Sequence, residues 1–386
     1  MSTPRALDLP DRVRKVTIET GRGSFAALEA MPGRGVCERR PAVLVPGYTG
    51  SKEDFLAVLQ PLAAAGRRVL AIDLRGQYET AAAASPAGYA PDALAADIIA
   101  VAAEVSQQDG GVHLVGHSFG GLIARQAALA PGPGFCSLTL LGSGPAGLTG
   151  PRAEVVQSLL AQLAADRPEQ LPQRIAQVWE HHLEPQVTAE GVPMPIIGFL
   201  RDRLTRTSAV GLIAMGEYLL AAPDRTAALA ELSSAPVLVL YGENDDAWPP
   251  EVQDQMAKRL GAERVCIPAA AHSPAVEAPE TTAGTLTAFW NSAEAADRRR
   301  RADPDQEPAG GASAASSGRA GAGTDGPGTG GPGTGGAGTG GAGTGGAGNG
   351  GAGNGGAGNG GAGNGGAGRA GSGRVNSSAS PSHGRR

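Results

Sequence analysis

The chain has 386 residues, 41% of them apolar, and a net charge of −5, so it is long enough to bury a large core and is neither a basic nucleic-acid binder nor a low-hydrophobicity chain throughout. The charge is unevenly spread: residues 298–386 carry nine arginines against four acidic groups, which leaves the first 297 residues at −10. An acidic body argues against nucleic acid or an anionic membrane as its partner. Three widely spaced cysteines, Cys37, Cys136 and Cys266, form no metal motif and read as buried thiols of a reducing, cytoplasmic compartment, with no metal and no cofactor expected. No run of 18 apolar residues exists, so no membrane span is expected, and Met1 to Val13 lacks the apolar stretch of a secretory signal.

In chain order, apolar runs and turn residues predict strands over residues 14–20, 25–31, 42–46, 68–73, 112–116, 137–142, 236–241 and 263–267. Helical spacing predicts helices over 52–65, 91–107, 119–130, 251–260 and 279–293. This alternation implies an α/β fold with a doubly wound, mostly parallel sheet and an antiparallel pair at its N-terminal edge. From about residue 145 to 230 the strand rhythm stops, and helical patterns over 153–165, 171–183, 195–206 and 208–221 replace it. An all-helical insertion at that point would form a cap. Beyond residue 297 the composition changes again: 34 of the 61 glycines follow residue 309, and a Gly-rich pentad repeats from Gly330 to Gly368. A period of five excludes a collagen triple helix, and a segment without apolar bulk cannot offset its ordering entropy. The expected organisation is a domain over 1–297 with its cap at 145–230, then a disordered low-complexity tail over 298–386.

The junction of the run Val112-His113-Leu114-Val115 with Gly116-His117-Ser118-Phe119-Gly120 is the most informative local feature. A strand entering Gly-x-Ser-x-Gly and leaving as a helix is a nucleophile elbow, whose tight turn exposes the serine hydroxyl above a sheet. A serine hydroxyl needs an imidazole to take its proton, and the imidazole needs a carboxylate to hold its tautomer. Six histidines are present, of which His181, His182, His272 and His383 follow the elbow. The 181–182 pair has no strand end before it and reads as a solvated helix end rather than a metal site. His383 lies in the tail, which leaves His272, in the loop after 263–267, as the base. The carboxylate emerges where the apolar run 236–241 ends in Gly242-Glu243-Asn244-Asp245-Asp246. Asp245 is preferred and Asp246 is the rival. Backbone donors for a tetrahedral oxyanion are expected from Phe119 N–H and from Tyr48 N–H, the latter in the loop Pro46-Gly47-Tyr48-Thr49-Gly50.

Together with Asp73-Leu74-Arg75-Gly76 and His272-Ser273-Pro274, these motifs make the chain resemble a serine hydrolase of the α/β-hydrolase superfamily over about residues 12–293. The resemblance implies that fold and an acyl-enzyme mechanism with a Ser118/Asp245/His272 triad. Two departures stand out: Pro46 opens the oxyanion loop where many members have histidine, and Gln77-Tyr78 follow Asp73-Leu74-Arg75-Gly76. Serine at 118 excludes dehalogenase and epoxide-hydrolase chemistry, whose nucleophile is aspartate. Haloperoxidase-like, thioesterase-like and carbon–carbon bond hydrolases share the same triad and stay open. Asp73 precedes the serine and reads as structural. In the cap, Trp179 and Phe199 stand among the aromatic residues expected either in the cap core or lining a substrate pocket. The expected activity is hydrolysis of a small-molecule carboxylic ester or related acyl bond. A non-catalytic receptor on the same fold is the alternative, against which the complete triad argues.

Overall fold

The computed structural model describes residues 2–34, 39–106, 111–132, 134–164, 167–233 and 235–302. The expected tail from residue 303 onward, together with Cys37, lies outside the described residues. Eight strands form one sheet: β1 (Val13–Thr20), β2 (Gly23–Ala30), β3 (Arg39–Val45), β4 (Arg67–Ile72), β5 (His113–His117), β6 (Ser137–Leu141), β7 (Val237–Gly242) and β8 (Glu263–Ile267). Their spatial order is β1-β2-β4-β3-β5-β6-β7-β8. β1 pairs antiparallel with β2 and β2 antiparallel with β4, while every other pair is parallel.

The central strands are largely apolar because both faces are covered. Val43, Val45, Leu114, Leu138, Leu140 and Val239 point into one core, against α2 (Pro91–Val105) and α3 (Phe119–Leu129). The residues between them, including Ala42, Leu44, Val115, Leu141, Leu238 and Leu240, point into the other, against α1 (Leu56–Ala64) and the last helix, Pro279–Ala302. Strand alternation thus divides one chain between two cores, as a doubly wound sheet requires. β3 lies between β4 and β5, so the chain turns back on itself there. The crevice outside the carboxyl ends of β3 and β5 is the topological switch point, the usual ligand position in such sheets.

Between β6 and β7 the chain forms α4 (Gly150–Ala164), α5 (Leu171–Val178), a π-helical turn (Trp179–Leu183), α6 (Glu184–Ala189), α7 (Met194–Arg206) and α8 (Ala209–Ala221), then α9 (Thr226–Leu232). The helix expected over 171–183 is present, with a π-helical turn over Trp179–Leu183, and it continues into α6, where Pro185 stands in the first turn. Buried polar anchors from the segment after β3 hold these helices. Arg203 Nη1 donates to Asp54 Oδ1 at 2.7 Å, both groups being buried. Tyr48 Oη donates to the Leu212 carbonyl at 2.6 Å. Asp54 Oδ2 also accepts Ser51 N–H at 3.3 Å, so this carboxylate closes the turn after β3 as well as holding the helices. Burial raises the Asp54 carboxyl to about 6 against the opposing pull of Arg203.

After β7 come α10 (Pro250–Leu260), α11 (Pro274–Glu277) and α12 (Pro279–Ala302). The last helix runs past the expected boundary at 297. Its final turn is supported by Arg298 with Glu294 at 3.6 Å and Arg301 with Asp297 at 3.1 Å, and cations suit a helix C-terminus. The reading of the cysteines as buried is corrected by two positions. Cys266 is exposed because β8 is the edge strand, and Cys136 is half-buried beside Arg40, whose Nη1 lies 3.2 Å from its Sγ. Among the described residues, no helix is long and apolar enough to cross a membrane, and no cluster of His, Cys, Asp or Glu is arranged to hold a metal ion.

Candidate active site

Ser118 stands between β5 and α3 with φ 55° and ψ −122°, a left-handed conformation that a serine adopts at a cost. The turn is held by Ser118 N–H to the Leu141 carbonyl at 2.9 Å and Gly121 N–H to the Ser118 carbonyl at 2.9 Å. It closes only because residue 116 has no side chain: a Cβ there would stand 2.6 Å from Gly121 Cα. Strand, strained residue and helix together thus aim the hydroxyl at the switch-point crevice.

His272 Nε2 lies 3.0 Å from Ser118 Oγ, and His272 Nδ1 lies 3.0 Å from Asp245 Oδ1. Asp245 follows β7 and is buried. Burial pushes its carboxyl up, but hydrogen bonds from His272, Ala247 N–H (2.9 Å) and Gln253 Nε2 (2.9 Å) outweigh burial and hold it below the usual carboxylate range. An ionised carboxylate accepts only, so Nδ1 of His272 carries the hydrogen and Nε2 presents its lone pair to the serine. Asp246, the rival carboxylate, points away: it is exposed and bound by both ends of the Arg152 guanidinium at 2.9 and 2.8 Å.

Two neighbours of this chain of contacts escaped the sequence reading. Gln253, on α10, donates through Nε2 to both Asp245 Oδ2 and the Trp248 carbonyl, at 2.9 and 2.7 Å, which fixes the carboxylate's second oxygen. His117 Nε2 donates to the main-chain carbonyl of His272 at 2.8 Å and so ties the His272 loop to the elbow. Burial, with His272 nearby, lowers the His117 imidazole to about 3, so this ring is neutral. The sequence signal for His117 was only its place inside the elbow motif. For Gln253 there was none, because its contact spans a helical turn and a loop.

The loop Pro46 to Gly50 leaves β3 directly beside the elbow. A Cβ on Gly47 would stand 3.2 Å from Ser118 Cβ and 3.6 Å from Ser118 Oγ. Tyr48 and Phe119 therefore carry their N–H groups on the two chain segments that flank the serine. Asp73 is structural, as expected: it accepts from Lys52 N–H and Lys52 Nζ, both at 2.8 Å.

A cavity of about 170 Å³ opens over Ser118 and His272. Its upper wall is aliphatic, formed by Leu148, Val156, Leu159, Leu183, Leu204 and Leu219, with Arg152 at its side. Trp179 and Phe199, the two aromatics singled out as pocket residues, do not line it. Trp179 is fully buried among the helices, where its indole N–H needs an acceptor and finds Glu184 Oε2 at 2.9 Å. Phe199 packs edge-on against Tyr78 at 5.6 Å and lies under the Arg203 guanidinium.

The profile of the alpha/beta hydrolase family matches residues 42–285, which span the loop after β3, the elbow, Asp245 and His272. The chain belongs to the alpha/beta hydrolase family. Over 254 residues this alpha/beta hydrolase is 29% identical to the dihydrolipoyllysine-residue acetyltransferase component of the acetoin cleaving system of Pseudomonas putida, covering 64% of this chain and 63% of that protein. Over 109 residues it is 34% identical to RutD of Variovorax paradoxus, whose name proposes a carbamate hydrolase, covering 28% of this chain and 40% of that protein. The chain thus spans less than two thirds of the length of these curated relatives. Among solved structures, a thermophilic esterase from Thermogutta terrifontis superposes with a TM-score of 0.53 at 23% identity, over 72% of this chain and 99% of that one, a likeness of fold.

Proposed function

We propose that this alpha/beta hydrolase is a serine hydrolase that cleaves a carboxylic ester, or a related acyl bond, through an acyl-enzyme. The observation that carries the reading is the run of two 3.0 Å contacts from Ser118 Oγ through His272 to an ionised, buried Asp245. Ser118 Oγ attacks the acyl carbon while His272 Nε2 takes its proton, and the negative charge that develops on the acyl oxygen is met by the N–H groups of Tyr48 and Phe119. Asp245 stabilises the imidazolium without taking the proton. The intermediate collapses, His272 protonates the leaving alcohol, and a water activated by the same imidazole releases the acid. The aliphatic wall over the serine suits an uncharged substrate with an alkyl acyl part, and Arg152, the charged side chain among the described residues of that lining, is neutralised by Asp246.

The test is labelling by a fluorophosphonate probe and turnover of p-nitrophenyl esters of increasing chain length, with a carbamate included because of the relative's name. Ser118→Ala is expected to abolish labelling and to lower kcat by about 10⁴–10⁶. A folded wild-type protein that neither labels nor hydrolyses any member of the panel overturns the proposal.

A further inference from the structure

Gln77 lies fully buried in the turn after β4, at one of the two places where the chain departs from the motif it resembles. Its carboxamide is completely engaged. Oε1 accepts the Leu74 N–H at 3.2 Å, and Nε2 donates to the Gly47 carbonyl at 2.8 Å and to the Tyr48 carbonyl at 3.0 Å. Main-chain carbonyls only accept and a main-chain N–H only donates, so these partners leave one orientation for the amide.

The consequence follows from peptide geometry. A trans peptide is planar and holds its C=O and the following N–H on opposite sides. Drawing the Gly47 carbonyl toward Gln77 therefore turns the Tyr48 N–H to the other side. Gly47 itself lies against the nucleophile, at 3.6 Å from a built Cβ to Ser118 Oγ. If this peptide rotated by half a turn, a carbonyl oxygen would face the reacting centre in place of a donor, and a developing oxyanion would be repelled. The loop is held at two further points, by Gly50 N–H on the Gly47 carbonyl at 3.1 Å and by Tyr48 Oη on the Leu212 carbonyl at 2.6 Å. Among the described residues, Gln77 is the side chain that grips both carbonyls in succession.

We propose that Gln77 is a positioning residue that clamps the Gly47–Tyr48 and Tyr48–Thr49 peptides, so that the Tyr48 N–H is set toward the acyl oxygen before substrate arrives. The clamp rests on the reading of the protein as a Ser118 hydrolase. Its effect is confined to the oxyanion: it raises the affinity for the transition state and leaves ground-state binding in the aliphatic cavity unchanged.

The experiment compares wild type with Gln77→Met, which keeps length without donors, and Gln77→Glu, which replaces the donor by an acceptor. Three readouts are taken: kcat and KM on a short p-nitrophenyl ester, the fraction of sites titrated by a fluorophosphonate, and inhibition by a trifluoromethyl ketone, whose adduct carries an oxyanion. The expected result is a fall in kcat of about 10–100-fold, with KM within about twofold, since a misdirected donor costs somewhat less than one removed outright. The ketone's inhibition constant rises by the same factor, and the titrated fraction stays at the wild-type value. Unchanged kcat, unchanged ketone inhibition, or a loss matched by fewer titratable sites overturns the clamp. Should both variants fail to fold, Gln77→Asn keeps the amide but is one methylene too short to reach both carbonyls, and the same three readouts apply to it. A wild type that is neither labelled nor active overturns the hydrolase reading itself, whereas an active wild type with indifferent Gln77 variants overturns the clamp alone.

Discussion

The loops at the carboxyl ends of β3, β5, β7 and β8 and the helices α4, α7 and α8 meet at the same cavity, yet they are held by different forces. Around Ser118 the key polar groups are fixed by hydrogen bonds of defined direction: Asp245 accepts from His272, Ala247 and Gln253, and the His272 carbonyl is taken by His117. The helices reach the cavity with leucine and valine side chains, and their polar attachment to the segment after β3 includes Arg203 with Asp54 and Tyr48 with Leu212. Directional bonds set atoms to within tenths of an ångström, as a proton transfer needs, while apolar contact constrains volume and leaves shape adjustable. On the proposed function, chemistry belongs to the sheet ends and selectivity to the helices, and substitutions in the two regions are expected to have different signatures.

The sharpest contrast is at the adjacent carboxylates. Asp245→Asn is expected to lower kcat by about 10⁴, because an amide facing Nδ1 favours the wrong imidazole tautomer. Asp246→Asn is expected to stay within about twofold of wild type, since its partner Arg152 is half-exposed and outside the relay. Ester kinetics on the two variants check this pair, and the reverse ranking would break the assignment.

On the helix side, the largest effect belongs to a buried charge. Arg203→Met leaves the Asp54 carboxylate without its partner in a site with almost no exposure. Removing one member of such a pair costs about 3–5 kcal/mol, to be read from urea unfolding. Activity per folded molecule on a short ester should fall far less than for Asp245→Asn.

Acid should separate the regions as well. His113 and His117 are both on β5, and burial lowers them to about 4 and about 3 respectively. A histidine whose folded value is depressed takes up its proton more readily when unfolded, so its contribution is complete above about pH 6.5 and is lost as pH falls toward the folded value. Between pH 6.5 and 4 each ring withdraws about 1.4 kcal/mol of stability per pH unit, while Asp54 and Asp73, whose buried carboxyls are raised to about 6, act in the opposite direction by taking up protons in the folded state. His113→Gln, remote from the serine, should remove one ring's share, so that between pH 6.5 and 4 wild type loses about 1.4 kcal/mol per pH unit relative to the variant in urea titrations, without a change in ester turnover at pH 7.

The smallest effect sharpens the selectivity half of the comparison. Leu159→Ala or Leu219→Ala, both on the cavity wall, should shift preference among acyl chain lengths by about 1–3 kcal/mol in kcat/KM while leaving acetate turnover nearly unchanged. Trp179→Ala should lower stability with no such shift, because its ring fills the space among the helices and its N–H is spent on Glu184. Equal shifts from all three variants would mean that the wall responds as one deformable body.

By itself the sequence determined whatever depends on local pattern. The largely apolar runs of the central strands announced a sheet covered on both faces, and the glycines around Ser118 announced a turn that closes only without side chains. The order of Ser118, Asp245 and His272 along the chain was legible because each follows a strand end, and parallel strands bring such ends to one side of the sheet. Tertiary structure alone decided the contacts between positions whose separation carries no period. Asp245 and Asp246 are neighbours of identical chemistry, and only the direction of the chain after β7 sends one to His272 and the other to Arg152. Trp179 and Phe199 have the composition of pocket residues, but helical spacing says that a face is buried and not which surface buries it. Gln77 and Gln253 act through amide hydrogen bonds across 30 and 8 residues of chain, and a hydrogen bond leaves no mark on composition or periodicity. Local steric and solvation preferences are written residue by residue, whereas the aim of a polar side chain depends on where the rest of the fold places its partner.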